Sequence, residues 1–140
     1  MGLQTGQGAA SRGLQGRRIL VAEDDWFIAD AMAGLLESQG ASVFGPAATV
    51  AEGAQLAHWW PIELAVIDLN LHGERADSLV VELADKDIPV VVVTAYDIVH
   101  AAAAKAFAIL HKPVTSAILL ETLCRAVASL AFLDVQGPWF

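Results

Sequence analysis

With 140 residues, 56% of them hydrophobic and 17% charged, the chain is long enough to bury one full core and too apolar for disorder. The net charge is −8. Arg12, Arg17 and Arg18 precede every acid, so from Glu23 onward sixteen acids face five bases, a balance that disfavours nucleic acid and favours cations or basic protein surfaces. No apolar run approaches the roughly 18 residues of a membrane span, and no secretory apolar region opens the chain. A lone Cys124 excludes an internal disulfide and suits a reducing compartment. No membrane contact and a cytoplasmic location are expected.

Residues 1–16, rich in Gly, Gln and Ala without hydrophobic periodicity, read as a flexible tail. A domain over 17–131 and a short C-terminal tail over 132–140 follow. From Arg18 onward, short apolar runs alternate with amphipathic segments. The runs are RILVA, ASVFG, ELAVI, PVVVV and AIL, continuous enough to be strands covered on both faces. Between the first two, Ile28, Ala31, Met32, Leu35 and Leu36 keep helical spacing, and Gly40 supplies the stop. Asp25 is placed to cap this helix. Thr49 and Glu52 form a capping box for a second helix that ends near Trp59, Trp60 and Pro61. A third helix is predicted over about Ala76 to Lys86 and a weakly patterned fourth over Ile98 to Phe107. In the last, Leu119, Thr122, Leu123, Ala126, Val127 and Leu130 line one face behind a Thr115 cap.

Five strands alternating with five helices predict an α/β fold: a doubly wound, parallel five-stranded sheet of the flavodoxin-like (βα)5 kind, strand order 2-1-3-4-5. Ligands of such sheets bind beyond the carboxyl ends of the strands, at the switch between strands 1 and 3. Glu23 and Asp24 follow strand 1, Asp68 ends strand 3, Thr94 ends strand 4, and Lys112-Pro113 follows strand 5. Gathering three carboxylates is unfavourable unless something neutralises them. A hard-oxygen set from two loops suits Mg²⁺. A lysine and a hydroxyl beside it point to phosphoryl chemistry, with Lys112 neutralising charge, Thr94 donating to a phosphoryl oxygen, and Asp68 as the nucleophile.

The stretches VAEDD, VIDLN, VVTAY and HKP, in that order, resemble the receiver domain of two-component response regulators over residues 18 to 131. The resemblance implies Asp68 as phosphoacceptor, Asp24 as a direct Mg²⁺ ligand, Glu23 holding the ion through water, and the main-chain carbonyl of Asn70 completing the protein's share. It also implies Thr94 as the switch hydroxyl, Lys112 as the partner of the phosphoryl group, main-chain N–H donors at Asn70 and Ala95, and a cis bond before Pro113. The expected function is phosphoryl transfer from a sensor histidine kinase to Asp68, with output through a downstream protein partner or as a phosphate sink, and no enzyme activity beyond its own phosphorylation and dephosphorylation. The unit containing GPAATVAEGAQLA is similar to short stand-alone regulators, some linked to HWE-type histidine kinases. No effector domain is expected from the remaining FLDVQGPWF.

Departures from the pattern are Leu71-His72 where the family often has Met-Pro, and Ile109 where a switch aromatic usually stands. The spacings from Asp68 to Thr94 and from Thr94 to Lys112 are short, so the third and fourth helices are expected to be curtailed. Two rival readings remain: a degenerate receiver acting as an interaction module without phosphorylation, and, more remotely, an aspartyl-intermediate phosphatase, against which Asn70 stands where a second acid is needed. The apolar faces of the first and last helices allow a homodimer. Trp26 is read as a lid or as packing on the first helix, Trp59-Trp60 and Trp139-Phe140 as satellite core, Tyr96 as a loop aromatic that tunes water access, and Cys124 as a small buried hydrophobe. The histidines lack metal-ligand spacing, and His72 alone falls near the site.

Overall fold

The computed structural model describes residues 13–95 and 101–136. Tyr96, His100, Trp139 and Phe140 lie outside them. The elements are β1 (Arg18–Ala22), α1 (Trp26–Ser38), β2 (Ser42–Ala47), α2 (Val50–Trp59), β3 (Leu64–Asp68), β4 (Asn70–Leu71), β5 (Glu74–Arg75), α3 (Asp77–Asp85), β6 (Val90–Thr94), α4 (Ala101–Lys105), β7 (Ala108–His111) and α5 (Ser116–Gln136). The main sheet has five parallel strands in the order β2-β1-β3-β6-β7, the predicted 2-1-3-4-5 arrangement.

The apolar runs become strands because both faces of the sheet are covered. Leu20, Ala22, Ala65, Ile67, Val90 and Val92 pack with Ala57 of α2 and Leu79, Val80 and Leu83 of α3. Their alternate neighbours Ile19, Val21, Leu64, Val66, Val91 and Val93 pack with Met32 and Leu36 of α1 and with Leu119, Leu123 and Ala126 of α5. This parity is the period-two geometry of a strand. The central strands β3 and β6 are buried throughout, whereas the edge strands β2 and β7 are partly exposed. Gly53 lets α2 approach α3, since a Cβ there would lie 2.8 Å from Leu79 Cδ2.

The caps follow the sequence signals. Asp25 Oδ1 accepts from the N–H groups of Phe27 and Ile28 at 3.0 and 3.3 Å, Thr49 Oγ1 from Glu52 N–H at 3.1 Å, and Thr115 Oγ1 from Ile118 N–H at 3.2 Å. The third helix spans nine residues, and the fourth, within the described residues, is Ala101–Lys105.

Three expectations are corrected. Leu14, assigned to the N-terminal tail, is fully buried among Met32, Leu36 and Leu123, because the groove between α1 and α5 leaves room for one more leucine. The last helix continues to Gln136, through residues assigned to the C-terminal tail, since nothing before Gly137 breaks it. Trp59 and Trp60 are not satellite core: they are 73% and 52% exposed. They stand at the end of α2 beside the edge strand β2, where no further layer among the described residues covers them, and Trp60 packs on Phe44, ring centroids 5.6 Å apart. Beyond expectation, the Gly45-Pro46 peptide is cis, as is Lys112-Pro113. No helix among the described residues is long and apolar enough to cross a membrane.

Candidate functional site

Parallel strands point their carboxyl ends to one edge, and there the chemistry-bearing residues meet. Glu23 follows β1 and is 2% exposed, while Asp68 ends β3 at 8%. Lys112 follows β7 and reaches back across the edge. Its Nζ donates to Glu23 Oε1 at 2.8 Å and to Asp68 Oδ2 at 2.9 Å. Carboxylate oxygens of Glu23, Asp24 and Asp68 all lie within 4.8 Å of one another. Thr94 is buried at the end of β6, and its carbonyl accepts from Lys112 N–H at 2.8 Å. An open cleft of about 450 Å³ is lined by Glu23, Asp24, Asp68, Asn70, Ala95 and Lys112, with Asp25 and Gly73 at its rim. Thus Glu23, Asp24, Asp68, Asn70, Ala95 and Lys112 share one cleft, Thr94 lies on the adjoining strand end, and Pro113 follows Lys112 in cis.

Main-chain amides orient the carboxylates. Asp25 N–H donates to Glu23 Oε2 at 3.1 Å, Asn70 N–H to Asp68 Oδ1 at 3.0 Å, and His72 N–H to Asp24 Oδ2 at 2.8 Å. Among the described residues, every buried side-chain polar atom has a hydrogen-bond partner. Burial pushes the Glu23 carboxyl above its ordinary range, partly opposed by the hydrogen bond from Lys112. Asp24, more exposed, is held below its range chiefly by the His72 N–H. For Lys112 burial favours the neutral amine, but the hydrogen bonds to Glu23 and Asp68 outweigh it and the net shift is upward.

Three carboxylates against one ammonium leave a negative excess. An all-oxygen donor set of this charge, open to water on one side, fits a hard divalent cation such as Mg²⁺.

Sequence reasoning missed the β4–β5 hairpin over the cleft, whose two-residue turn is His72-Gly73. Its signal was present: a turn-forming pair ending in Gly between short runs is the pattern of a tight hairpin. Trp26 and Phe27, 73% and 77% exposed, stack edge to face at 5.9 Å at the start of α1. Trp26 therefore packs on its helix neighbour. An apolar groove of about 550 Å³ lies between α1 and the start of α5, with Phe27, Ile28, Met32, Lys112, Pro113 and Leu119 among its walls.

Residues 19–124 match the family described as response regulator receiver domain. The transcriptional regulatory protein PdtaR of Mycobacterium tuberculosis is 32% identical over 117 residues, which cover 80% of this chain and 57% of that protein. The chain thus spans 57% of the length of this curated relative. Among solved structures, a response regulator receiver domain protein (CheY-like) from Methanospirillum hungatei superposes with a TM-score of 0.76 at 26% identity, covering 84% of this chain and 98% of that one. The response regulator protein TrrA from Thermotoga maritima, in complex with Mg(2+)-BeF, gives 0.70 at 19% identity, covering 79% and 98%. At that identity the likeness concerns the fold alone.

A doubly wound sheet in this order, matched along most of its length by receivers, has the fold of a receiver domain. The chain belongs to the response regulator receiver domain family of two-component systems.

Proposed function

We propose that this receiver accepts a phosphoryl group on Asp68 from a phosphohistidine of a sensor histidine kinase, with Mg²⁺ as cofactor. The observation that carries the reading is the Lys112 ammonium held between Glu23 and Asp68 at 2.8 and 2.9 Å, inside the carboxylate cluster at the edge where such sheets bind ligands. Glu23, Asp24, Asp68 and the Asn70 carbonyl would hold the ion, and the chemistry supplied there would be Lewis-acid neutralisation of charge on the phosphoryl oxygens.

An Asp68 carboxylate oxygen attacks phosphorus. An O–P bond forms as the N–P bond of the donor breaks, and the electron pair returns to the imidazole nitrogen. Lys112, already oriented by its two carboxylate partners, pairs with the transferred oxygens. Thr94 and the main-chain N–H groups of Asn70 and Ala95 supply further donors. The apolar groove between α1 and α5 includes Lys112 in its lining and offers the kinase a surface beside the acceptor. Output proceeds through contact with a downstream protein or by competition for phosphoryl groups. Slow hydrolysis of the acyl phosphate resets the domain.

Intact-mass spectrometry after incubation with acetyl phosphate and Mg²⁺ tests the proposal. A gain of one phosphoryl group is expected in the native chain, absent with EDTA and absent in Asp68→Asn. One observation favours the second reading, an interaction module independent of phosphorylation. Ile109, where a switch aromatic is usual, packs against the core beneath α3 and α4 and cannot swing as a ring would. An unchanged mass, under conditions that modify a control receiver, would support that reading instead.

A further inference from the structure

Leu71-His72 stands where the family pattern often has Met-Pro, and this departure builds the hairpin over the cleft. Asn70–Leu71 and Glu74–Arg75 pair antiparallel, leaving only His72 and Gly73 between them. Both have positive φ, 53° and 81°, as a type I′ turn requires. The hydrogen bond of such a turn joins its flanking residues, which leaves the amides of both central residues for other partners. Each is given to a side chain of the acidic site. His72 N–H donates to Asp24 Oδ2 at 2.8 Å, and Gly73 N–H to Asn70 Oδ1 at 2.8 Å. Asn70 in turn donates its own N–H to Asp68 Oδ1 at 3.0 Å. The turn is therefore tied to both β1 and β3. A proline at 72 would have no N–H and a φ near −65°, so neither the turn nor its bond to Asp24 could form.

We propose that the His72-Gly73 turn is a positioning device for the metal site: the His72 main-chain N–H holds one oxygen of Asp24 and presents the other to the cation, raising affinity for Mg²⁺. Amides and carbonyls that orient a ligand from behind in this way carry a large share of metal affinity. His72 acts through Asp24 and touches no reacting atom; its imidazole Nδ1 stands 3.9 Å from the same Asp24 Oδ2, beyond hydrogen-bond reach, so the device needs the N–H and the φ and not the ring. The proposal rests on the Mg²⁺ reading above.

The test is calorimetric titration of Mg²⁺ alone into the full chain, with thermal melts in EDTA to register folding. Three variants separate the contributions. His72→Pro removes the N–H, and Gly73→Val opposes the turn through φ alone, since nothing lies within 4 Å of where its Cβ would stand. His72→Gly keeps both N–H and φ while deleting the imidazole. The first two are expected to weaken Mg²⁺ binding about 10-fold or more, and His72→Gly to stay within about twofold of the native chain. Should His72→Pro fail to fold, the contrast between Gly73→Val and His72→Gly still decides. Native affinity in Gly73→Val, or a loss in His72→Gly as large as in the turn-breaking variants, overturns the positioning role. An absence of Mg²⁺ binding by the native chain would overturn the metal reading itself.

Discussion

Glu23, Asp24 and Lys112 illustrate how three ionisable groups a few ångströms apart divide their charge. Glu23 is buried and its carboxyl is raised above the ordinary 4.5, while Asp24 is lowered below 3.8. The consequences for stability have opposite sign. A raised carboxyl such as Glu23 contributes stability that is full below pH 4.5 and lost as pH rises through its folded value. A lowered one such as Asp24 contributes above pH 3.8 and loses it as pH falls through its folded value. Carboxylate NMR titration of the metal-free chain is expected to find Glu23 titrating above 4.5 and Asp24 below 3.8, a widening of the usual gap between the two residue types. Lys112→Met removes the hydrogen bond that opposes the burial of Glu23, so the Glu23 midpoint should climb further. A midpoint unmoved by that substitution would show that the ammonium does not stabilise the charged form. These residue types and their places at strand ends were legible in the sequence. Their inequality was not, because it depends on how deeply each carboxylate is covered and on which amide faces it.

At the level of the elements, the helices and strands came from hydrophobic period and caps, and the exceptions have local causes. Leu14 is one of two widely spaced leucines in a stretch of Gly, Gln and Ala, so no periodicity announced it. It is fully buried; Arg17 N–H donates to its carbonyl at 3.0 Å, and Gly16 N–H donates to the Gly40 carbonyl at 2.8 Å. A Cβ on the preceding Gly13 would stand 3.0 Å from Cys124 Sγ, which shows how closely this segment lies on α5. Leu14→Ala should cost about 2–5 kcal/mol, the usual range for deleting a buried leucine. Urea denaturation measures it, and a loss no larger than that of an exposed substitution would remove Leu14 from the core. The same reasoning explains Trp59 and Trp60. Indole size alone marks them as core, but position at the end of α2 beside an edge strand leaves them in solvent. The β4–β5 hairpin was overlooked because two-residue strands carry no period to count.

For the whole molecule, the core is complete on both sides of the sheet without any ion, so the chain is expected to remain cooperatively folded in EDTA. An ion that binds only the folded state adds stability by mass action, about 2.7 kcal/mol at a hundredfold excess over its dissociation constant. Thermal melts with rising Mg²⁺ should therefore climb in the native chain and stay flat in Asp24→Ala. A melt that collapses in EDTA would mean that the cation is structural. The alternation of apolar runs with amphipathic helices pointed to a parallel sheet with right-handed crossovers, and five strands in a chain of this size favoured the order 2-1-3-4-5 over the other common doubly wound topology. Order, in turn, determined which loops meet. Tertiary structure alone decided how the meeting is arranged: the reach of Lys112 to two carboxylates, the burial of Glu23, and the turn that places the His72 amide on Asp24. Local pattern governs which element forms, since hydrophobic period and caps act within a few residues. Distances between groups 48 and 89 positions apart, 2.8 Å for the His72 N–H to Asp24 and for Lys112 Nζ to Glu23, exist only after the layers have packed.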